Sequence, residues 1–553
     1  MSQVQGWTSG PQTRGTLDIL WTCLATLGLC VWTAIHPNIP VVHNAWSTLF
    51  ERLGLMVLAI IFPEIIITSA WGQRRRAKNL LVEVNRSLGR PTKKTTSEST
   101  ARFQLQQALS WKMKVSPNLE TASQDHSLLP KYSEPDLVES LPHTTSDPVQ
   151  GQPPTTDAWC HDQAMFAIMG GFAIEIHYLD SATEKRIIRR LLTPEGVSIL
   201  AKTGHLPALS REDVAERSKA DIFAKSIVMG QIVWFALQVL GRLCQGLPVT
   251  PLETHTAIHV GCTIIVYAIW VNKPYNLLQS IVVAGPDMKY LGAFFNFSDM
   301  SRDIFQKECE RYEVERIEYW KERVIQASQG ALTFCAPPKP PVLKPIDQLL
   351  DDYQSDAIRN CTKRYHDEEI LCTIAEDARQ GLHLLESQGC NTFRGIQPSR
   401  RKLLRHTSEN FTIRTVWGGW STDFGHEPNL EKGIHVLFNV LYGGCHLAGW
   451  ASDFPTTLES WLWRGSALFL TTVPVWGGLW ILWWKGVRSR SKALYLIRNG
   501  DLDIIAAPVF FLVLAGYTLA RCYFLIEALM SLRLLPSAAY QTVQWSNFLP
   551  HVS

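Results

Sequence analysis

At 553 residues the chain is too long for one ordinary domain. Hydrophobic residues make up 46% of it and charged residues 19%, and a net charge of +3 is too small to suggest a nucleic-acid partner. Its twelve cysteines form no C-x-x-C pair, and Cys23, Cys30, Cys262, Cys445 and Cys522 lie inside apolar runs, which excludes a disulfide framework or a zinc signature.

The average hides two unlike materials, apolar runs near membrane-spanning length and long polar stretches. The first run, "TLDILWTCLATLGLCVWTAI", covers Thr16 to Ile35. About 20 residues at 1.5 Å rise reach roughly 30 Å, the thickness of a bilayer core. It is longer than a signal-peptide core, and "HPNIP" follows it in place of a small-residue cleavage site, so it reads as a retained anchor. The second run, Leu53 to Ala70, contains "LAIIFPEIIITSA" and ends in "WGQRRRAK", the aromatic and basic flank of a cytoplasmic end. No Lys or Arg separates the runs before Arg52. Residues 1–71 are therefore expected to form a membrane hairpin, with the N-terminus and the Arg74–Lys78 cluster both cytoplasmic.

Residues 72–157, rich in Ser, Thr, Pro and mixed charge, are expected to be a disordered cytoplasmic linker. In the segment 158–225, "QAMFAIMGGFAIEI" (Gln163 to Ile176) is too short to cross and is predicted to be an interfacial or re-entrant helix. Two amphipathic helices should follow. Thr193 caps the first, with Pro194 at its first position and Gly204 at its end; Ser210 and Asp213 form a capping box for the second, which leads toward the next span.

Residues 226–272 read as a second hairpin, with spans Ser226–Leu243 and Thr256–Val271. Lys219, Lys225 and Lys273 flank it and Arg242 is the one positive charge at its tip, so the tip should face out. Residues 273–432 form the largest soluble stretch. "SRDIFQKECERYEVERIEYWKERVIQASQ" predicts a charged amphipathic helix, and "CAPPKPPVLKP" is a polyproline spacer or a P-x-x-P ligand, which makes this stretch the place for a cytoplasmic protein partner. The sequons at Asn85, Asn296, Asn360 and Asn410 all fall in loops expected in the cytoplasm, so none should carry glycan.

Within 433–533, the run Gly433–Trp450 is weak and interrupted by His435, Asn439 and His446. Ser466–Trp484 is strong, with Trp461, Trp463, Trp483 and Trp484 placed as an interfacial belt before "KGVRSRSK". Ile504–Ala520 is the last run, with helix continuing toward Leu532, and 534–553 is a tail. The expected fold is an all-α polytopic membrane helix bundle of about seven spans with helical and disordered cytoplasmic insertions. It would be integral to an endomembrane or the plasma membrane, with the N-terminus inside and the C-terminus outside.

The soluble parts carry no P-loop, G-x-G-x-x-G, H-E-x-x-H or G-x-S-x-G, so no cofactor and no metal is expected. "DDYQSD" (Asp351 to Asp356) departs from an aspartate-rich metal motif at Ser355 and reads as a solvated face. The membrane runs hold the candidate catalytic residues Glu64, His435, His446 and Arg521. A charge at mid-bilayer costs about 2.5–3.5 kcal/mol on insertion scales, so such groups face a bundle interior or a cavity. Pro63 removes a backbone donor just before Glu64, which makes a kinked polar spot. A carboxyl kept neutral in an apolar pocket would suit a membrane-embedded acid; a hydrogen bond to another span, or a pair with an arginine such as Arg521, would be structural. His435, Asn439, Tyr442 and His446 share one helix face, which explains the weak hydropathy of that run, and His435 and His446 are about 16 Å apart along it. His259 reads as an interior histidine. Arg521 and Glu527 sit on different faces of their helix, each seeking a neighbour, and Arg521 could lie at the interface instead.

The phrases "RGTLDILWTCLATLGLCVWT", "FPEIIITSAW", "MGGF", "SKADIFAK", "GLPVTPLE", "NKP", "FPTTLESWLWR", "RCYFLIEALMSLRLLP" and "WSNFLPH" together resemble a large family of multi-span membrane proteins of filamentous fungi, one without settled biochemistry. The resemblance runs through both ends and is sparse in the polar stretches. It implies a fungal membrane protein and carries over no functional residue.

Three function classes follow. One is an enzyme of secondary-metabolite biosynthesis acting on a hydrophobic small molecule by acid-assisted cyclisation or modification, with Glu64 as acid and the histidines or Arg521 stabilising charge. The second is a non-catalytic membrane scaffold or signalling platform built on the cytoplasmic mass. The third is a transporter, against which the lack of an internal repeat weighs.

Overall fold

The computed structural model describes residues 13–39, 45–89, 158–179, 185–216, 222–274, 277, 279–328, 338–342, 344–354, 366–390, 402–405, 428–490 and 501–545. Most of these residues are helical. They divide into a bundle of long apolar helices and a second layer of further helices with a small sheet.

Four helical segments are long and apolar enough to cross a membrane. They are α1 (Thr16–Ala34) and parts of three later helices, namely Ser226–Cys244, Pro251–Ile269 and Phe511–Arg533. Against the expectation of about seven spans, the described residues show four by length and composition, or five if the bent pair below is one span. The Leu53–Ala70 run is not one straight span. It is split into α2 (Ala45–Ile61) and α3 (Pro63–Ser87), which bend by 111° at Phe62. Pro63 has no N–H to continue the ladder and opens α3 at the position where proline is tolerated.

Both arms of this bend return to the same end of the bundle. Arg52 Nη2 in α2 donates to Trp32 O near the C-terminus of α1. In α3, Gln73 Oε1 accepts from Lys273 Nζ at 2.9 Å, and the same ammonium donates to His36 O at 2.5 Å. By its 111° bend the pair is a broken span or a re-entrant loop, and α3 continues as one helix to Ser87. There the Asn85 side chain bonds the Trp159 N–H and C=O at 2.9 and 3.2 Å. The linker expected from residue 72 is therefore helical to Ser87, and 90–157 lies outside the described residues.

The next elements in this second layer are α4 (His161–Ile168), β1 (Phe172–Leu179), β2 (Lys185–Leu192), α5 (Pro194–Lys202) and α6 (Arg211–Glu216). After the membrane helices α7 (Ile222–Cys244) and α8 (Pro251–Ile269) come β3 (Ile281–Val282), α9 (Met288–Ser328), α10 (Ile346–Gln354), α11 (His366–Ser387) and β4 (Leu404–Arg405). The bundle closes with α12 (Pro428–His446), α13 (Thr457–Arg490) and α14 (Asp501–Met530).

The four strands form one sheet in the order β3-β1-β2-β4, with β1–β2 and β2–β4 antiparallel and β1–β3 parallel. The all-α expectation does not hold, and neither does the single interfacial helix over 163–176. Gly170 takes φ +88°, and a Cβ on Gly171 would sit 2.3 Å from the Phe166 ring, so the chain turns sharply out of α4 into β1. From there Ile174 and Ile176 are buried while Glu175 and His177 face outward, a period of two. Arg189 on β2 meets Glu175 across the strands at 2.9 Å. Phe294, Phe295 and Phe297 of α9 and Leu371, Ile374 and Ala378 of α11 bury the other side of this layer. Asp299 in α9 anchors β4 by accepting the N–H groups of Leu403 and Leu404 at 3.0 and 2.7 Å.

The expected local signals are present. Thr193 Oγ1 accepts the Gly196 N–H at 3.2 Å, Gly204 takes φ +73°, and Ser210 and Asp213 bond reciprocally at 2.9 and 3.0 Å. The charged helix is the outer half of α9. Asp351 and Asp352 are tied to Arg379 and Lys344. Asn85 and Asn296 are buried, whereas Asn360 and Asn410 lie outside the described residues.

The Arg14 N–H donates to Tyr540 O at 2.7 Å, and its guanidinium pairs with Glu253 at 2.5 Å in the first turn of α8. Arg74 instead donates to Ala268 O and Ile269 O at the far end of α8. The N-terminal end and the basic cluster therefore sit at opposite ends of that helix, and both described termini sit together.

Candidate functional site

The break at Phe62 builds the site. It leaves the Ile61 carbonyl without a helix partner, and Arg521 Nη1 on α14 donates to it at 2.8 Å. Glu64, one residue into α3, places its carboxylate 3.0 Å from the same Nη1. Both side chains are dry, at 0% and 3% exposure. The other guanidinium nitrogen, Nη2, donates to Asn439 Oδ1 at 3.0 Å and to Tyr517 Oη at 2.9 Å, and Tyr517 Oη in turn donates to Asn439. The guanidinium carbon lies 4.3 Å from the Tyr442 ring centroid. A buried charge costs several kcal/mol unless it is paired and its hydrogen bonds are met; Arg521 Nη1 and Nη2 find partners on α2, α12 and α14, while Arg521 Nε and Glu64 Oε2 have no hydrogen-bond partner among the described residues.

A histidine cluster adjoins this network. His446 Nδ1 lies 2.8 Å from Tyr442 O, so it carries the proton and donates, which leaves Nε2 as an acceptor. His255 Nδ1, 3.2 Å from that Nε2, is then the donor. His259, one turn along α8, lies 4.7 Å from the His255 ring and edge-on to Tyr442 at 5.9 Å. His446 stacks on Phe524 at 4.1 Å, and Trp463 Nε1 donates to its carbonyl. Among the described residues no set of three His, Cys, Asp or Glu side chains is placed to hold a metal ion.

Beside these groups lies a cavity of about 730 Å³ between α7, α8, α12 and the C-terminal segment. Val239, Ile258, Gly261, Cys262, Phe438 and Tyr442 are among its lining residues. Tyr442 belongs to both structures, since its ring covers Arg521 on one side and it lines the cavity. The volume falls within the range of about 300–1,000 Å³ usual for small-molecule sites.

A model of a family of unknown function (DUF8562) matches residues 1–116, 143–317 and 426–552. The chain belongs to this family. No curated protein matches it. No solved structure matches it either. In this DUF8562 protein, Glu64, His255, His259, His435, His446 and Arg521 all fall inside matched segments, whereas the outermost part of α9 and all of α10 and α11 fall outside them.

Of the four residues singled out in the sequence, the fold brings Glu64 and Arg521 into contact and puts His446 on the far side of Tyr442. Arg521 is buried inside the bundle. His435 stands apart, with Nδ1 3.4 Å from Thr68 Oγ1 one turn beyond Glu64. Sequence reading missed His255 and the meeting of three imidazoles. The signal was the spacing of "HTAIH", which sets His255 and His259 on one face of a helix.

Proposed function

We propose that this protein binds a hydrophobic small molecule inside its membrane bundle and acts on it, as an enzyme of secondary-metabolite biosynthesis working by acid-assisted cyclisation or modification. The observation that carries this reading is the shared wall, with Tyr442 lining the apolar cavity while its ring lies over the buried Arg521. Tyr442, Cys262 and Cys445 supply the protic groups on that wall. Glu64 acts through Arg521, as the residue that positions the guanidinium under the Tyr442 ring. The Arg74–Lys78 cluster supports a cytoplasmic soluble layer, with both termini on the opposite face of the membrane.

The test compares extractable metabolites from wild type, deletion, Tyr442→Phe and Gly261→Phe strains at matched protein level. A Cβ on Gly261 meets no atom within 4 Å, so a ring there fills the cavity without displacing the backbone. One precursor accumulating in all three altered strains supports the reading, and unchanged profiles overturn it.

A second reading, a platform for a protein partner, has one observation in its favour. The outer half of α9 exposes Val314, Ile317, Trp320 and Ile325 on an otherwise charged helix. Truncation of that half would then abolish function while Gly261→Phe would not.

A further inference from the structure

The cavity has a depth, and its two ends differ. His255 meets His446 and His259 meets the Tyr442 ring, so α8 and α12 run antiparallel along it, and one turn further in Phe438 comes level with the Cys262–Ile265 turn. Ile265 and Phe438 line this inner end and pack against the main core of the protein, which closes it. The outer end, at Pro248, Thr250, Asp453 and Ala539, carries both signs of charge. Arg242 Nη2 donates to Pro248 O at 2.7 Å and to Ala539 O at 3.0 Å, and Asp453 is exposed. The mouth therefore favours neither sign of head group, and the property left to discriminate ligands is depth.

Between the two ends the α8 wall includes a row of small side chains, Thr254, Ala257 and Gly261, on one face of the helix. From Thr250 to Ile265 along α8 is about 22 Å. A volume of about 730 Å³ over that length leaves a mean section of about 33 Å², which suits one extended chain. Large side chains then stop the channel at Ile265 and Phe438. In an apolar pocket one methylene gained or refused changes binding by about 10-fold or more, so a floor at fixed depth discriminates by length. We propose that the cavity gauges the length of a single long alkyl or isoprenoid chain, which enters tail first from the polar end, with Phe438 and Ile265 as the stop. This rests on the reading of the cavity as the ligand site and names the substrate class of that site.

The full chain in nanodiscs separates the two ideas. Tritiated octadecanol, whose extended chain is close to the cavity in length, is displaced with dodecanol, octadecanol and tetracosanol at equal mole fraction in the bilayer. These share a head and differ only in length. Octadecanol should compete about 10-fold or more better than either. Phe438→Ala removes the stop and should bring tetracosanol within about 2-fold of octadecanol. Ile265→Trp raises the floor and should put dodecanol ahead of octadecanol. Gly261→Phe should remove saturable binding of octadecanol. Equal competition by all three lengths, still lost in Gly261→Phe, keeps the cavity and overturns the gauge. A chain would then leave sideways past Leu243 and Leu441, lining residues that are 61% and 48% exposed. A length preference that neither Phe438→Ala nor Ile265→Trp moves also overturns the gauge. Binding that is absent, or that survives Gly261→Phe, overturns the cavity reading and the gauge with it.

Discussion

Glu64 and Arg521, 3.0 Å apart, join the kink between α2 and α3 to α14 with neither side chain open to solvent. Such a pair holds geometry more than it adds stability, because its attraction mainly offsets the cost of burying two charges. Breaking it is another matter. Glu64→Gln strands a buried guanidinium and should cost about 3–5 kcal/mol. Glu64→Gln with Arg521→Met should recover a large part of that loss. Thermal unfolding of the purified single and double variants checks this, and a double variant no more stable than Glu64→Gln would mean that the two residues are not coupled.

The second layer carries a titrating anchor. Burial pushes the Asp299 carboxyl up to about 6, although it accepts the Leu403 and Leu404 N–H groups. A folded-state value above the ordinary 3.8 means that the folded protein holds the proton more tightly than the unfolded chain between those values. This residue's contribution is therefore fully present below about pH 4 and declines as pH rises to about 6. Asp299→Asn should remove that part of the pH dependence. Melting curves of both proteins from pH 4 to 7 decide it, and parallel pH profiles would count against the assignment.

Lys273 latches the bent pair. Its ammonium meets His36 O, Asn38 Oδ1 and Gln73 Oε1 and lies 4.2 Å from the Trp270 ring centroid. Lys273→Met leaves three buried acceptors without their donor, at about 1–3 kcal/mol for an unsatisfied group. Hydrogen exchange near Gln73 and Asn38 should quicken by at least 10-fold in the variant, with little change in α11.

The Arg14–Tyr540 backbone bond fixes the relation of the ends. Epitope tags at the two termini should share one side of the membrane, and a tag inserted in 90–157 should report the other. Protease protection in sealed vesicles reads this directly. An N-terminal tag on the same side as the inserted one would restore the arrangement expected from charge alone.

Local chemistry wrote much of this molecule into its sequence. The apolar runs of α1, α7, α8 and α14 announce themselves because burial in lipid demands about 20 apolar residues in a row. The Thr193 and Ser210 caps and the charged half of α9 are legible for the same reason, since each depends on residues within one or two turns. The sheet was not legible. "FAIEI" is apolar at both ends of its alternation; its antiparallel partner β2 is close in the chain, but the outer strands, Ile281 against Phe172 and Leu404 against Leu192, come from remote segments, so completion of the sheet is a tertiary event. The Pro63–Glu64 kink could be seen, but a kink does not say how sharply the chain turns; the 111° bend is held by contacts of Arg52, Gln73 and Lys273 with remote segments. The need of a buried charge for a partner was written at Glu64. Which partner meets it depended on helices from both ends of the chain closing on one another, because an ion pair in a dry bundle forms only where tertiary packing excludes water from both groups.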